Sequence, residues 1–375
     1  MAIMQRCTTL LVVLNVIVTL VSAQVELQLP KLPGNYPVGT IALELKTPSI
    51  PRDLMVSFFY PTDRSCTSFP LAPDLPPQSL AYTIAQAGLP PGFPISITTQ
   101  AHLKATIAST DFPVLIFSTG YGVSRLLYTA AAEDLASLGY IVVVVDHPLD
   151  APFIEYPDGR FIQVDAPNYE HVDAYIPYVD ARVQDVRTVL DSLSNATFIS
   201  QIPGLKSRGK VQKLQTSKIG ILGHSLGGAT AASAMLADKR FVAGVNMDGS
   251  IIGNVTTTGL SKPFLIMETE THNRTFDQTW GEFWPHLRGF KREIAVSKTQ
   301  HGSYSDYLVL IDGLIAAGVP VPPELKAEFG AISGTRMLEI QTSYVGEFFG
   351  KFLMGKRGKL LDGPSKLFPE VTFFD

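Results

Sequence analysis

The segment GHSLGG, at positions 223–228, holds the residue types that acyl transfer needs. It contains the pattern G-x-S-x-G, an apolar run (KIGILG) leads directly into it, and small residues (GGATAASA) follow. A serine at such a strand–turn–helix junction stands exposed above a sheet, and the glycines leave room for the tight turn. The pattern therefore predicts that Ser225 is a nucleophile. The alternative is an ordinary turn in which Ser225 caps the following helix.

A serine hydroxyl is a weak nucleophile at neutral pH, so Ser225 needs a base. The sequence has seven histidines, and His301 lies just past the last predicted strand, KREIAVS. This position fits the chain order serine, acid, histidine that accompanies the G-x-S-x-G turn. His272 and His286 precede that strand in a polar, aromatic loop, and we expect the side chain of His224 to point away from the serine and pack. We predict His301 as the base, and a surface histidine is the alternative.

The carboxylate that orients the base has four candidates. Asp248 closes the strand that follows the helix of the nucleophile. The other three follow the next strand: Glu268, Glu270 and Asp277. The turn Gly249-Ser250 leaves the carboxylate of Asp248 free to reach a partner, although an aspartate at this position also commonly caps a turn. The residues alone favour Asp248 and leave the other three open.

Acyl transfer also needs two backbone N–H groups that face the developing negative oxygen. One is expected from Leu226, the residue after the nucleophile. The other is expected from the glycine-rich loop TGYG, at positions 119–122, which follows the apolar run FPVLIFS. We assign this second donor to the amide of Tyr121. A purely structural turn is the alternative for this loop.

Apolar segments alternate with helix-like segments, and together they position these residues. Predicted strands cover residues 41–46, 54–60, 112–120, 140–147, 218–223, 241–248, 263–269 and 291–297, and predicted helices cover 124–138, 183–193 and 226–236. The central strands are apolar without a break, which indicates that both of their faces are covered. The alternation predicts an α/β fold with a mostly parallel, doubly wound central sheet flanked by helices. Functional loops are expected at the carboxyl ends of the strands.

The first 23 residues are predicted to be a secretory signal peptide. Arg6 is the only charge before Glu26, an apolar stretch covers residues 9–21, and small residues precede the expected cleavage point. A membrane anchor is the alternative, but the apolar run is short and Asn15 interrupts it. We therefore predict that the protein is secreted and that no integral membrane segment remains once the signal is removed.

Residues 24–375 are predicted to form a single domain with inserted loops around 61–111 and 148–178. The first loop is rich in proline, and the second is polar and aromatic and is a candidate lid. An ordinary long crossover is the alternative for the second loop. Three Asn-x-Thr sequons fit a secreted glycoprotein: Asn195, Asn254 and Asn273.

The composition excludes several classes of protein. Of 375 residues, 46% are hydrophobic and 17% are charged, which argues against a disordered or fibrous chain. The formal net charge of −4 provides no basic excess for nucleic acid, and there is no basic cluster for tight binding to anionic membranes. The two cysteines cannot form a disulfide framework, since Cys7 lies in the predicted signal peptide and leaves Cys66 alone.

Two tryptophans are candidates for a substrate pocket. Trp280 and Trp284 lie between the last two predicted strands and close in sequence to His301. Aromatic side chains at this place are able to line a pocket for an acyl or alcohol group. The alternative is that both pack a surface helix onto the core.

Five segments resemble the secreted platelet-activating factor acetylhydrolases and their fungal relatives: RDLMVSFFYP, FPVLIFSTGYGVSRLLYTAAAEDLASLGYIVVVVDH, GHSLGG, VNMDGS and QHGSYSDY. They stand in the family's order over roughly residues 52–352. The resemblance implies the α/β-hydrolase fold, independence of calcium, and no metal or cofactor, which suits a sequence without a metal-ligand cluster. It also implies the roles of four residues: Asp248 as the acid, His301 as the base, and Tyr121 and Leu226 as the oxyanion hole.

The sequence thus predicts a secreted serine hydrolase of carboxylic esters that acts through an acyl-enzyme. It resembles 1-alkyl-2-acetylglycerophosphocholine esterases, which implies a small-molecule or lipid ester as the substrate. We call the loop at positions 119–122, which carries the second oxyanion donor, the oxyanion loop. That family usually has a His-Gly pair in it, whereas this sequence has Thr119-Gly120-Tyr121. Bacterial polyester hydrolases and cutinase-like enzymes often have an aromatic residue there and provide one alternative. An accessory hydrolase of lactones or thioesters is another, and a non-catalytic binding protein, which would be expected to lose a triad member, is a third.

Overall fold

The computed structural model describes residues 24–46, 48, 50 and 52–374, so the predicted signal peptide lies outside the described residues. The strands are β1 Val25–Gln28, β2 Val38–Leu45, β3 Leu54–Pro61, β4 Leu71–Pro73, β5 Ile95–Leu103, β6 Val114–Ser118, β7 Ile141–Val145, β8 Phe153–Glu155, β9 Phe161–Gln163, β10 Lys206–Ser207, β11 Lys210–Val211, β12 Ile219–His224, β13 Phe241–Met247, β14 Phe264–Thr269, β15 Lys291–Val296 and β16 Val371–Phe374.

The α-helices are α1 Pro77–Gln86, α2 Thr129–Ser137, α3 Ile176–Ser192, α4 Ala196–Ile199, α5 Leu226–Ala237, α6 Val255–Thr258, α7 Gln278–Phe283, α8 Tyr307–Ala316, α9 Pro323–Phe329 and α10 Gly334–Met354. Short 3₁₀ helices cover Arg64–Ser68, Arg125–Tyr128, Val172–Tyr175, Trp284–His286 and His301–Tyr304.

Twelve of the strands form one sheet in the order β1-β5-β2-β3-β7-β6-β12-β13-β14-β15-β16, with β4 paired to β5. The six strands from β7 to β15 in this order run parallel to one another. On one side β2 and β3 form an antiparallel hairpin, and on the other β16 pairs antiparallel with β15. The predicted mostly parallel sheet flanked by helices is confirmed.

The central strands are apolar on both faces because helices cover both. In β7, whose sequence is IVVVV, every residue is buried. Val142 and Val144 pack into one hydrophobic cluster with α2, α8 and α10, whereas Ile141, Val143 and Val145 pack into a second cluster with α3 and α5. Successive side chains of a strand point to opposite faces, so a continuous apolar run needs a core on each side.

The register of the parallel strands brings several loops to one edge of the sheet. Ser118 lies opposite Gly223 where β6 ends, and His224 lies opposite Met247 where β12 and β13 end. The loops that follow β14 and β15 leave the same edge, because these strands continue the parallel set. Residues that directly follow these strands are therefore neighbours in space although they are distant in sequence.

Two predicted helices differ from those observed. The helix predicted over 124–138 begins as a 3₁₀ turn and is interrupted at Leu127, whose φ of −97° and ψ of 22° are not helical; α2 follows. Asp146 accepts a hydrogen bond from the backbone N of Arg125 and fixes that first turn against the end of β7. The helix predicted over 183–193 begins seven residues earlier, at Ile176, with a proline in the first turn, where its missing N–H costs nothing.

The two long loops contain secondary structure of their own. The segment 61–111 carries α1, β4 and β5, and β5 extends the sheet beyond the predicted strands. The segment 148–178 contains the hairpin β8–β9, a 3₁₀ turn and the start of α3. Within the part of the chain that the structure describes, no helix is both long enough and apolar enough to cross a membrane.

Candidate active site

Ser225 lies in a strained turn between β12 and α5. Its φ of 56° and ψ of −125° belong to a region that residues with a side chain rarely adopt. Its backbone N donates to the carbonyl of Met247 at 2.9 Å. A Cβ atom at Gly223 would lie 2.1 Å from the backbone of Gly227, and one at Gly227 would lie 2.0 Å from the carbonyl of Ser118. The glycines are therefore needed because the turn packs tightly on itself and on β6.

The helix that follows Ser225 directs its amino end to the same edge of the sheet. It begins at Leu226, and the first N–H groups of a helix have no partner within it. A Cβ atom at Gly228 would lie 1.8 Å from Oδ1 of Asn246, so α5 approaches β13 as closely as glycine allows. The predicted oxyanion donor, the N–H of Leu226, thus lies at the positive end of a buried helix.

The carboxylate of Asp248 lies just past β13 and is 2% exposed. Its Oδ2 accepts from Nδ1 of His301 at 2.6 Å. Its Oδ1 accepts from the backbone N and Oγ1 of Thr269, at 3.0 and 3.2 Å, and from Nδ1 of His272 at 2.9 Å. Burial alone would raise the pKa of Asp248, but the hydrogen bonds from the two histidines outweigh it and hold the pKa well below its usual range. Asp248 is therefore an ionised acceptor.

His301 opens the 3₁₀ helix after β15, and its side chain is 41% exposed. Because Nδ1 donates to Asp248, Nε2 is the nitrogen left for proton transfer. The carbonyl of His301 accepts from Nε2 of His224 at 2.8 Å, and the two rings lie 4.7 Å apart. The base thus contacts the residue that precedes Ser225. Among the described residues, Oγ of Ser225 and Nε2 of His301 form no hydrogen bond, a contact that often tightens only with substrate.

His224 packs between the base and the oxyanion loop. It is 3% exposed, its Nδ1 accepts from the hydroxyl of Tyr128 at 2.9 Å, and that hydroxyl accepts from the backbone N of Gly120 at 2.9 Å. Burial, with a smaller contribution from His301, lowers the pKa of His224 to about 3. His224 is therefore a neutral link between two loops.

Arg182 of α3 holds the oxyanion loop, a role that no pattern in the sequence indicated. Its Nη1 donates to the carbonyl of Thr119 at 2.5 Å, and its Nη2 donates to the carbonyl of Gly120 at 3.1 Å. Asp150 binds Nε and Nη2 of the same guanidinium at 2.8 and 2.5 Å. The carbonyl of Gly120 and the N–H of Tyr121 belong to one planar peptide, so Arg182 fixes the direction of the predicted oxyanion donor.

The other three acid candidates have different surroundings. Glu268 is fully buried, and burial together with the neighbouring Glu293 raises its pKa to about 9. Glu270 accepts a hydrogen bond from a backbone amide at 2.8 Å. Asp277 binds a histidine other than the predicted base. Asp248 is the candidate that the structure brings to the imidazole of His301.

His272 was not predicted to be a functional residue, but its side chain lies next to the carboxylate of Asp248. Its Nδ1 bonds to Asp248 at 2.9 Å and its Nε2 bonds to Oδ2 of Asp277 at 3.0 Å. Burial alone would lower the pKa of His272, but the bonds to the two carboxylates outweigh it and raise the pKa to about 10. The one signal in the sequence was its place three residues after a central strand.

The two tryptophans have different surroundings. Trp280 is fully buried, its Nε1 donates to the carbonyl of Gly249 at 2.6 Å, and its ring stacks on His272 at 4.3 Å. Trp284 is partly exposed, and the charged ends of Arg274 and Lys291 lie 4.4 and 4.5 Å from its ring. Trp280 supports the turn after Asp248 from within the core, which differs from the expected pocket wall.

Tyrosines from the segment 148–178 pack on Tyr121. Its ring lies 5.1 Å from both Tyr175 and Tyr178, and its hydroxyl donates to the carbonyl of Pro167 at 3.0 Å. The hydroxyls of Tyr169 and Tyr178 are 3.0 Å apart. The segment expected as a lid thus contacts the residue assigned to the oxyanion hole.

The three predicted glycosylation sites lie at or near the surface. Asn195 and Asn254 are exposed and Asn273 is partly exposed, and carbohydrate attachment there stays a prediction.

The cysteine that remains after the predicted signal peptide, Cys66, is buried and free. No cluster of metal-ligating side chains occurs among the described residues.

Comparisons with known proteins find esterases and acetylhydrolases that are similar to this chain. A family model described as platelet-activating factor acetylhydrolase, isoform II, matches residues 21–330. A probable 1-alkyl-2-acetylglycerophosphocholine esterase of Arthroderma benhamiae is 31% identical over 92% of this chain and 94% of its own length. The platelet-activating factor acetylhydrolase of Canis lupus familiaris is 28% identical over 41% of this chain and 38% of its own. Among solved structures, a ferulic acid esterase from Streptomyces cinnamoneus is 31% identical, covers 93% of this chain and 99% of its own, and superposes with a TM-score of 0.77.

Proposed function

Because this chain belongs to the platelet-activating factor acetylhydrolase, isoform II, family of carboxylic ester hydrolases, we propose that it is a secreted serine esterase of short-acyl phospholipids. Its proposed triad is Ser225, His301 and Asp248. The observation that carries the proposal is the 2.6 Å bond between His301 and Asp248, made beside the strained turn of Ser225.

In this mechanism His301 removes the proton of Ser225 through Nε2, and Oγ attacks the ester carbonyl. Asp248 holds the imidazole in the tautomer that leaves Nε2 free and stabilises its positive form. His301 then protonates the leaving alcohol, and later it activates the water that clears the acyl-enzyme. The partly exposed ring of His301 suits these exchanges, since both the alcohol and the water must reach it.

The tetrahedral oxyanion is stabilised by the amides of Tyr121 and Leu226. Leu226 adds the positive end of α5, and Arg182 fixes the peptide that carries the N–H of Tyr121. Donors held in place before the reaction need no reorganisation as charge develops, which makes them more effective than water.

The acid is tested by comparing Asp248→Asn with Glu268→Gln. We expect the first change to lower kcat by about 10⁴-fold, because an asparagine favours the wrong tautomer of the base. The second change keeps a neutral, buried side chain of the same shape, so kcat is expected to stay within a few-fold of wild type. A larger loss in Glu268→Gln than in Asp248→Asn would move the role to Glu268.

A second class of acyl group is also a candidate, because Tyr121 and its tyrosine neighbours form an aromatic cluster at the oxyanion loop. Aromatic side chains at this place suit an aromatic or polyester acyl group, and the structural relative from Streptomyces cinnamoneus is a ferulic acid esterase. We propose to compare kcat/KM for an alkyl-acetyl-glycerophosphocholine, its long-acyl counterpart, methyl ferulate and an aliphatic polyester, with Ser225→Ala as the blank. Preference for the acetyl lipid supports the first assignment, and preference for ferulate or polyester replaces it.

The location is tested separately from the chemistry. We propose that cleavage after Ala23 releases the mature chain and that Asn195, Asn254 and Asn273 receive carbohydrate. Expression in a secreting eukaryotic host, followed by N-terminal sequencing and glycosidase treatment, is expected to give a start at position 24 and a decrease in mass. A chain retained in cells with its first residues intact would contradict secretion.

A further inference from the structure

We propose that His272 is a positioning residue whose imidazolium, held between Asp248 and Asp277, lets His301 act as a base at lower pH than a simple Asp–His pair would allow. This inference rests on the proposed function of Ser225 and His301. His272 itself touches no reacting atom, and it acts through the carboxylate of Asp248.

The two hydrogen bonds of His272 require an additional proton, either on its ring or on one of its two carboxyl partners. A neutral imidazole donates from only one nitrogen, and ionised carboxylates only accept. Oδ1 of Asp248 faces Nδ1 of His272 at 2.9 Å, and Oδ2 of Asp277 faces Nε2 at 3.0 Å. Both bonds are made together only if the ring is an imidazolium or if one of the carboxyl groups holds a proton.

Neither carboxyl group has a place for that proton. Asp248 accepts from Nδ1 of His301 and from two groups of Thr269. Asp277 accepts from the backbone N and hydroxyl of Thr279, at 2.8 and 2.6 Å, and from the hydroxyl of Ser250 at 2.6 Å. Each carboxylate is therefore surrounded by donors, and the pKa of each is held below its usual value by them, against the opposing effect of burial. The proton resides on the imidazole.

The charge lies in a dry environment. His272 is 7% exposed, and its ring stacks on Trp280. The ring of Phe276 packs against it edge to face, with 5.9 Å between the ring centres. Water screens a buried charge poorly, so its effect on neighbours is larger than at the surface.

The other ionisable groups near this ring add little charge at neutral pH. On β14, burial and the adjacent Glu293 raise the pKa of Glu268 to about 9, which keeps it protonated. On β15, Glu293 forms an ion pair with Arg274. The net charge next to the base is thus set by two carboxylates, Asp248 and Asp277, and by the imidazolium of His272 between them.

This arrangement changes how strongly the base holds a proton. A lone carboxylate beside His301 favours the protonated ring, which is inactive as a base. The imidazolium on the opposite oxygen of Asp248 offsets part of that attraction. The imidazolium therefore favours the neutral, active ring of His301, while the bond to Oδ1 keeps Oδ2 of Asp248 directed at the base.

Two substitutions at His272 separate its charge from its hydrogen bonds. His272→Asn places an amide nitrogen where Nδ1 was and keeps a donor for Asp248, whereas His272→Gln places one near Nε2 and keeps a donor for Asp277. Both remove the charge. We expect the acidic limb of kcat/KM against pH to move upward by about 0.5 to 1 unit in both variants. His286→Asn, an exposed histidine on the same segment, is the control and leaves the limb in place.

The kinetic result distinguishes positioning from a structural role. A plateau kcat within about threefold of wild type in His272→Asn, with a larger decrease in His272→Gln, is expected because only the first keeps a donor on Asp248. The proposal is overturned if activity falls only in proportion to the amount of folded protein and the acidic limb of kcat/KM against pH does not move.

A second measurement does not depend on turnover and keeps the proposal testable if no substrate is cleaved. Nitrogen-15 NMR of histidine-labelled Ser225→Ala protein reports the protonation of each ring, and the spectrum of the Ser225→Ala, His272→Asn double variant assigns the signal of His272. We expect both nitrogens of His272 to remain protonated at pH 7.5. A neutral ring there would disprove the inference, whereas absence of esterase activity in wild type would reject the proposed function alone.

Discussion

Two rows of serine, histidine and aspartate lie at this edge of the sheet, and they differ in access. In the first row, Ser118 donates to Nε2 of His147 at 2.8 Å, and Nδ1 of His147 donates to Oδ2 of Asp185 at 2.9 Å. All three are at most 1% exposed. In the proposed triad the base is 41% exposed, and its serine stands in a strained turn. Both hydrogen bonds of a Ser-His-Asp triad are present in the buried row, which no substrate can reach. A chain of hydrogen bonds from serine to histidine to aspartate therefore does not by itself identify a catalytic serine.

The buried row instead supports the oxyanion loop. Ser118 ends β6 directly before that loop, and Arg52 binds Oδ1 of Asp185 at 2.6 Å. Burial, together with the positive charge of Arg182, lowers the pKa of His147, so the ring is neutral. The row joins the ends of β6 and β7 to α3 without charge on its imidazole.

The largest expected effect separates the two serines. Ser225→Ala is expected to lower kcat by about 10⁶-fold, because the nucleophile is lost while the turn remains. Ser118→Ala is expected to keep kcat within about tenfold and to lower the free energy of unfolding by about 1–3 kcal/mol, since Nε2 of His147 loses its partner. Ester hydrolysis and urea unfolding measure both variants. A loss in Ser118→Ala equal to that in Ser225→Ala would erase the distinction.

The two acids provide the next comparison. Asp248→Asn is expected to lower kcat by about 10⁴-fold with an unchanged KM. Asp185→Asn removes a charge that is shared by Arg52 and His147, so its main result is expected to be a loss of stability of about 3–5 kcal/mol. Thermal unfolding and steady-state kinetics on folded protein test this pair. Normal turnover in Asp248→Asn would contradict the assignment.

A smaller effect is expected where the buried region meets the site. Arg182→Lys keeps a positive charge for Asp150 but loses the fork that binds the carbonyls of Thr119 and Gly120. We expect kcat to decrease by about 10- to 100-fold, with KM nearly constant, because the oxyanion donor is less well directed. Affinity for a trifluoromethyl ketone, which forms a tetrahedral adduct, is expected to decrease in parallel. Unchanged affinity in folded protein would show that Arg182 has only a structural role.

The smallest effect concerns the charge of His272, whose ring is protonated, whereas that of the buried His147 is neutral. The bonds that outweigh burial raise the pKa of His272 to about 10, above the value of about 6.5 expected in the unfolded chain. The stabilisation from this proton is complete below about pH 6.5 and is lost as pH rises toward about 10. We expect the free energy of unfolding to decrease by up to about 1 kcal/mol per pH unit in this window. Urea unfolding at several pH values measures the slope, which His272→Asn is expected to flatten; an unchanged slope would argue against the charge.

The sequence predicted what local patterns encode. The turn of Ser225 is recognisable because glycines, a preceding apolar strand and a following helix of small residues occupy consecutive positions. His301 follows from chain order, and the parallel strands follow from uninterrupted apolar runs. The split of the first helix at Leu127 was missed, because it depends on the contact of Asp146 with Arg125 across 21 residues.

The supports of the site were not predicted, because they join residues that are distant in sequence. Arg182 meets Gly120 across 62 residues, and His147 meets Ser118 and Asp185 across 29 and 38. No spacing rule marks such pairs. His272 was set aside because its neighbours in sequence are polar and aromatic, whereas its partners in space are two carboxylates.

The central claim is that one serine reacts and the other does not. Treatment of the full chain with an organophosphonate, followed by mass mapping of the peptides, tests it directly, because such reagents bond to an activated serine. The modification is expected on Ser225 alone, with loss of ester hydrolysis in proportion to labelling and no labelling of Ser225→Ala. A label on Ser118, or an unlabelled Ser225 in folded protein, would contradict the account.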